Sequence, residues 1–366
     1  MADTLTKPEL PPVRTDARSS AGWARFLRWD LAVTIILIAV FGFGSADNAS
    51  FATTGNLSFA LNDIAEVAII ALPMTLLVVC GEVDLSVASM LGLSSALAGS
   101  LWDAGYTFEM IVPIVLLVGL AGGLVNGLLV TKVGLPSLAV TIGTMTLYRG
   151  LASVVLGTKA VAEFPQEYAD LTQRTVFGFI PFPMALFGIL AVITAIVLHA
   201  TGLGRAMFAI GAQQEAAFFA GIRVKRIKLA LFALTGVVAA FAGIVFTLRY
   251  GSARADNGMG FEMTVIAAVL LGGVDFDGGR GTLGGVVSGL LLIALLRNLL
   301  TLNDVANEVQ SIVTGVLLVV SVLTPRVVQA IGRRRRRSPD GGTPSAPLSG
   351  TASGPGSGPA SASVPA

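Results

Sequence analysis

One cysteine, Cys80, and one histidine, His199, are the only thiol and imidazole in 366 residues. No intrachain disulfide can form, and no cofactor or metal site built on His or Cys is expected. Charge is scarce too: Asp, Glu, Lys and Arg make up only 13% of the chain, about half the share of a soluble domain. Hydrophobic residues reach 54% before the 43 glycines are counted, and mean hydropathy is +0.80. So few charges cannot cover that much apolar surface in water, so lipid is the main solvent. Catalytic signatures are missing as well. There is no G-x-x-x-x-G-K-[ST] phosphate loop, because Gly157-Thr158-Lys159 lacks the upstream spacing. Neither H-E-x-x-H nor a G-x-S-x-G nucleophile elbow occurs. His199 ends a span and suits an interfacial place, and Cys80 suits packing. The chain reads as a conduit, not as an enzyme.

Ten apolar runs are present, near 31–46, 64–80, 85–101, 110–130, 137–156, 179–198, 229–248, 263–274, 282–300 and 309–323. They predict an all-α polytopic membrane protein of about ten transmembrane helices, some of them broken. The run at 263–274 has twelve residues, about 18 Å of helix against a hydrocarbon core of about 30 Å. It must extend through its polar flank or stand as a half-helix shielded by protein. Residues 1–28 form a polar arm with Lys7, Arg14, Arg18, Arg25 and Arg28 and no early apolar core, so a retained first span is expected instead of a cleaved leader.

The net charge of +2 hides a strong asymmetry. With the N-terminus inside, 18 of the 24 Lys and Arg fall on the cytoplasmic side and four outside: Lys159, Arg174, Arg249 and Arg254. Arg149 and Arg297 lie within spans. That split places both termini in the cytoplasm, favours ten spans over nine, and marks membrane topology, not nucleic-acid binding. A permease region over 29–325 is therefore followed by a tail, 326–366, that is basic through Arg333–Arg337 and then Pro-, Gly- and Ser-rich, a composition that predicts disorder.

Polar features interrupt this apolar background. The longest cytoplasmic loop, about 199–228, contains GRAMFAIGAQQEAAFFAGIRVKRIK from Gly204 to Lys228. Good helix formers at 213–220 between Gly211 and Gly221 predict a short helix along the membrane face that presents Glu215, Ala216 and Ala217. Arg223, Lys225, Arg226 and Lys228 suit lipid headgroups. Two further breaks carry glycine and carboxylates: 81–86 with Asp84, and 272–281 with Asp275 and Asp277. Such breaks belong along a substrate path or its gate. Equally, Asp84 and Asp277 suit N-caps of the helices that follow. Tyr148-Arg149 lies about 10 Å inside its span, where the arginine either snorkels outward or faces the bundle. Asn126, Thr141, Thr144 and Asn298 can line a polar path or tie helices together.

The loop's Gly211, Glu215, Ala216, Ala217, Gly221 and Ile222 resemble the Glu-Ala-Ala coupling loop of ATP-binding-cassette importer permeases of the ribose type. Three more stretches resemble that family in order: GEVDLSVASMLGL at 81–93, GLPSLAVTIGTMTLYRGL at 134–151 and LLGGVDFDGGRGTLGGVVSG at 270–289. Together they span most of the hydrophobic chain. Glu82 and Ala88 depart from it, standing where the family's stretch carries glycines. The stretch at 295–325 resembles the rhamnose and autoinducer-2 branch and points to a monosaccharide, a deoxyhexose such as rhamnose. By this resemblance the chain is a multi-pass subunit of the bacterial inner membrane. Its implied partners are an ATPase with two nucleotide-binding domains, an extracytoplasmic sugar-binding protein, and a second permease copy or paralogue. Catalytic residues are not implied, because ATP hydrolysis falls to the partner. The alternative is an ion-coupled secondary transporter using Asp84, Asp63 or Glu66 and needing no coupling loop.

Overall fold

The structure, a computed structural model, describes residues 20–336. Most of the predicted N-terminal arm and of the Ser/Gly/Pro tail lies outside the described residues. In chain order the helices are α1 (Ser20–Asp47), α2 (Thr54–Asp63), α3 (Ala65–Val79), α4 (Val87–Asp103), α5 (Phe108–Leu128), α6 (Ser137–Leu156) and α7 (Gln166–Gln173). They continue with α8 (Phe182–Ala195), α9 (Gly202–Ala212), α10 (Gln214–Phe219), α11 (Val224–Tyr250), α12 (Phe261–Leu271), α13 (Leu283–Leu302) and α14 (Asn307–Arg336). α5 and α8 each finish in a wider π turn, Leu129–Val133 and Ile196–Ala200. Two-residue strands pair Val161–Ala162 with Ser252–Ala253, and Thr175–Val176 with Ile180–Pro181. The chain is compact as one unit through Thr324, and Pro325 opens a second.

The fold is all-α and polytopic. Each of the ten apolar runs forms a helix, but they are not equal. Among the described residues, six helices are long and apolar enough to cross a membrane, and α2 with α3, bent by 48°, makes a seventh. α4 has 17 residues, α12 has 11, and the apolar part of α14 is Asn307–Ser321.

Exposure follows the logic of a lipid solvent. Ile38 on α1 and Val154 on α6 are 65% and 81% exposed, as are Ile189, Val192 and Ile193 along α8. Meanwhile Thr75, Ser94, Thr235 and Thr247 are buried. Apolar side chains face outward because hydrocarbon accepts them, and polar ones face neighbouring helices. The Thr247 hydroxyl donates to the Gly243 carbonyl of its own helix at 2.8 Å and lies 2.7 Å from the Ser95 hydroxyl of α4.

α11 is the central pillar and packs against α3, α4 and α5. Its crossing with α5 is backbone on backbone. A Cβ on Gly236 would stand 2.8 Å from the Gly123 nitrogen, and one on Gly119 would stand 2.6 Å from the Gly236 oxygen. Small residues permit that approach and the dispersion contacts it brings.

Of the two alternatives its length left open, α12, about 16 Å long, takes the half-helix shielded by protein: every residue from Thr264 to Leu271 is buried. The segment before it dips into the bundle. Asn257 donates to Ser95 at 2.8 Å, and a Cβ on Gly258 would meet Leu91.

Gly236→Val should lower the apparent Tm and the monodisperse yield in detergent. Overpacking costs about 1–3 kcal/mol or more, and the opposing atoms here are backbone. Gly143→Ala, where an added Cβ meets nothing, serves as the control and should leave both unchanged.

Candidate functional site: the coupling face and the inner helix breaks

α9 starts at Thr201, whose hydroxyl accepts from the Gly204 amide at 3.3 Å. It ends at Gln213, an extended residue (φ −162°, ψ 101°) that turns the chain into α10. Gly221, with φ +82°, then reverses the chain toward α11. The short helix expected at 213–220 is therefore present as α10. Its orientation differs from the expectation in one respect. Ala217 faces inward at 4% exposure, so it is not presented. Glu215 and Ala216 are exposed, and with them Phe218 (63%) and Phe219 (85%), whose rings meet edge to face at 5.7 Å. The two phenylalanines were not picked out from sequence, although two adjacent aromatics in a polar loop were the available signal.

Gly211 lies at a three-way junction near the end of α9. A Cβ there would collide with the Val79 carbonyl at the end of α3 and with the Gly278–Gly279 backbone. The Gly279 amide donates to the Val79 carbonyl at 2.8 Å. Gly278 and Gly279 have φ of +83° and +72°, which glycine adopts without steric cost. The end of α3 and the break at 272–281 thus meet α9 by backbone contact, and Gly278 in turn lies against Gly81 at the start of the other break.

Within the first break Asp84 is buried. Its Oδ1 accepts from the Ser86 amide at 2.9 Å and the Ser86 hydroxyl at 2.6 Å, organising the turn into α4. The Ser86 Oγ accepts from Asn126 Nδ2 at 2.9 Å, while Asn126 Oδ1 is buried without a partner. One turn earlier on α5, the Gly122 carbonyl accepts from the Tyr148 hydroxyl at 3.0 Å. Thr144 lies one turn before Tyr148 on the same face of α6 and donates to the Val140 carbonyl. Asp84, Asn126, Thr144 and Tyr148 therefore belong to one buried polar cluster between α4, α5 and α6.

The other path candidates lie elsewhere. Arg149 faces the bundle and donates from Nη1 to the carbonyls of Ala255 (3.2 Å) and Asn257 (2.9 Å), holding the dipping outer segment. Asn298 exchanges two hydrogen bonds with Asn56, at 2.8 and 3.0 Å, and ties α13 to α2. Asp275 accepts from the Asp277 amide at 3.2 Å and shapes its own loop. Asp277 is exposed and is not the N-cap of α13. Thr282 takes that role, accepting from the Gly285 amide at 3.2 Å. Glu66 is committed to an ion pair with Arg249 at 2.8 Å. That arginine belongs to the last turn of α11, not to an outer loop.

Residues 56–322 match the family described as "Branched-chain amino acid transport system / permease component". The chain belongs to this family. Among its relatives are the autoinducer 2 import system permease proteins LsrD of Yersinia enterocolitica, 33% identical over 81% of this chain and 91% of the relative, and of Photorhabdus temperata, 33% identical over 81% and 90%. LsrD of Photorhabdus luminescens is 34% identical over the same shares, 81% and 90%. No solved structure matches the chain. The chain is thus a multi-pass permease of the bacterial inner membrane, of the ribose-type importer branch, and permeases of this class work with ATPase and binding-protein partners.

Arg149→Met should release the outer segment of this permease. A hydrogen bond to a charged group contributes about 1.5–3 kcal/mol, so amide exchange over 251–260 should quicken by at least about tenfold. Amides of α9 and α10 should exchange at the wild-type rate. Hydrogen–deuterium exchange with mass spectrometry reads both segments in one experiment.

Proposed function

We propose that the chain is the membrane-spanning subunit of an ATP-driven importer of a small sugar-like solute, with α10 as the helix that docks on a separate ATPase carrying two nucleotide-binding domains. The observation that carries this reading is the exposed face of Glu215, Ala216, Phe218 and Phe219 on a helix whose inward side is held by Ala217. Two large aromatics left in water on an otherwise polar surface mark a docking anchor. Gly211 lets the preceding helix seat directly on the end of α3 and on the 272–281 break, so a push on α10 acts on a packed body and not on a loose loop.

An extracytoplasmic binding protein delivers the substrate, and a paralogous permease completes the pathway as the second half. Arg223, Lys225 and Arg226, all exposed, contact headgroups of the inner leaflet. The buried cluster of Asp84, Ser86, Asn126 and Tyr148 supplies the polar lining of the path. The unmatched Asn126 Oδ1 accepts from a passing hydroxyl. The names of the relatives and the likeness of 295–325 to the rhamnose branch support two candidate substrates, autoinducer-2 and a deoxyhexose such as rhamnose.

Uptake of each candidate in cells carrying the native operon tests the reading, with wild type compared to Glu215→Arg and Phe219→Ala at matched membrane expression. Truncating an aromatic anchor costs about 2 kcal/mol, roughly thirtyfold in affinity, so ATPase co-purification and uptake should fall together. Full uptake with no ATPase bound to the wild type would instead return the ion-coupled reading and its Asp84.

A further inference from the structure

Four cations cluster between α10 and the first turns of α11, and one behaves differently from the rest. Arg223, Lys225 and Arg226 are exposed, as headgroup contacts should be, whereas the Lys228 side chain is turned inward at 7% exposure. Its Nζ lies 2.5 Å from Glu82 Oε1, itself 13% exposed, and also donates to Gln214 Oε1. Gln214 is the first residue of α10. Glu82 stands in the first break, two residues before Asp84. One ammonium group therefore bridges α10, α11 and the break.

Stability is a poor explanation for this arrangement. Desolvating a carboxylate and an ammonium costs several kcal/mol for each ion, and their attraction often does no better than offset it. The best-attested use of such a buried pair is to fix register between parts. The neighbouring junction of α9 with the end of α3 and the second break offers no such hold, since Gly211, Gly278 and Gly279 bring no side chain to grip with.

We propose that Lys228 is a positioning residue that transmits displacement of α10 to the break at 81–86 by holding Gln214 and Glu82 together. The proposal rests on the importer reading, in which α10 moves with the nucleotide state of the ATPase. Cys80, the only cysteine in the sequence, is buried two residues before Glu82 and is a native reporter of the break.

The experiment uses the full permease purified with its ATPase and compares N-ethylmaleimide labelling of Cys80 without nucleotide and with ATP plus vanadate. Coupling between sites is typically 5- to 150-fold, so the wild-type labelling rates should differ by at least about fivefold between the two states. Glu82→Gln/Lys228→Met removes both charges and leaves no unpaired ion buried. Gln214→Ala, at an exposed position, opens only the α10 half of the link. The double variant should retain ATPase binding and hydrolysis, and in both variants, read on the ATPase-bound fraction, the labelling ratio should collapse toward one. A wild-type ratio of one, or a variant that keeps the wild-type ratio, overturns the proposal. Absence of ATPase from the wild-type preparation would overturn the importer reading itself.

Discussion

In hydrocarbon a backbone N–H or C=O without a partner costs several kcal/mol, and water is not at hand to supply one. A regular helix meets this demand within itself, but this permease abandons regular helix in three segments that are partly buried among the helices. Each is stabilised by particular atoms. At 81–86 the Asp84 carboxylate takes the Ser86 amide, and Ser137 Oγ accepts from the Val83 amide at 3.4 Å. At 272–281 the Gly279 amide reaches the Val79 carbonyl, and Asp275 and Arg280 pair through their backbones at 3.1 Å. At 251–260 Arg149 gathers two carbonyls, while Asn257 bonds to Ser95. Irregular backbone is tolerated only where protein or water can answer it, so each break is lined by side chains and backbone of neighbouring helices. Asp84, Arg149 and Asn257 belong to that supporting set.

Close backbone approach is the second consequence. With the end of α3 and the 272–281 break resting on α9 through Gly211, Gly278 and Gly279, three chain segments far apart in sequence share one small volume. Packed cores pass on displacement as discrete rearrangement and resist continuous deformation. The exposed α10 is joined to this volume through α9 on one side and Lys228 on the other. The outer ends of the same helices are held by different means, including the Glu66–Arg249 pair and the Arg249 guanidinium 4.1 Å from the centre of the Tyr250 ring.

Hydropathy made the ten helices legible, because an apolar run folds as helix whether lipid or protein surrounds it. For the same reason it did not separate the lipid-facing helices from α3, buried throughout, or from α12, buried from Thr264 to Leu271. The α10 helix was readable from its formers and flanking glycines, but the face it shows was not, since a six-residue helix in a loop has too little periodicity to declare a buried side. Long-range partnerships left no local trace. Asn298 meets Asn56 across 242 positions, and Arg149 meets Asn257 across 108. Capping was misassigned at Asp277 because Asp-Gly-Gly and Gly-Thr-Leu are both good helix starts, and only the backbone path selects Thr282.

Glu82 and Ala88 were the visible departures in the 81–93 stretch, and the structure gives Glu82 a physical account. A glycine at 82 would leave Lys228 buried with only Gln214 to accept from it, a costly state for a cation. Glutamate and lysine therefore make sense as a pair, and the backbone freedom given up at 82 is offset by the hold gained on α10. The same six residues then face two ways. Glu82 points toward the coupling face through Lys228, whereas Asp84, two residues on, organises Ser86 and through it Asn126 in the polar cluster. A rotation of this segment that satisfies one end must disturb the other, since a carboxylate and an amide held in a dry interior have few alternative partners. In the proposed importer, that shared backbone between α10 and a buried polar cluster is a physical route from a partner's nucleotide state to the interior of the bundle.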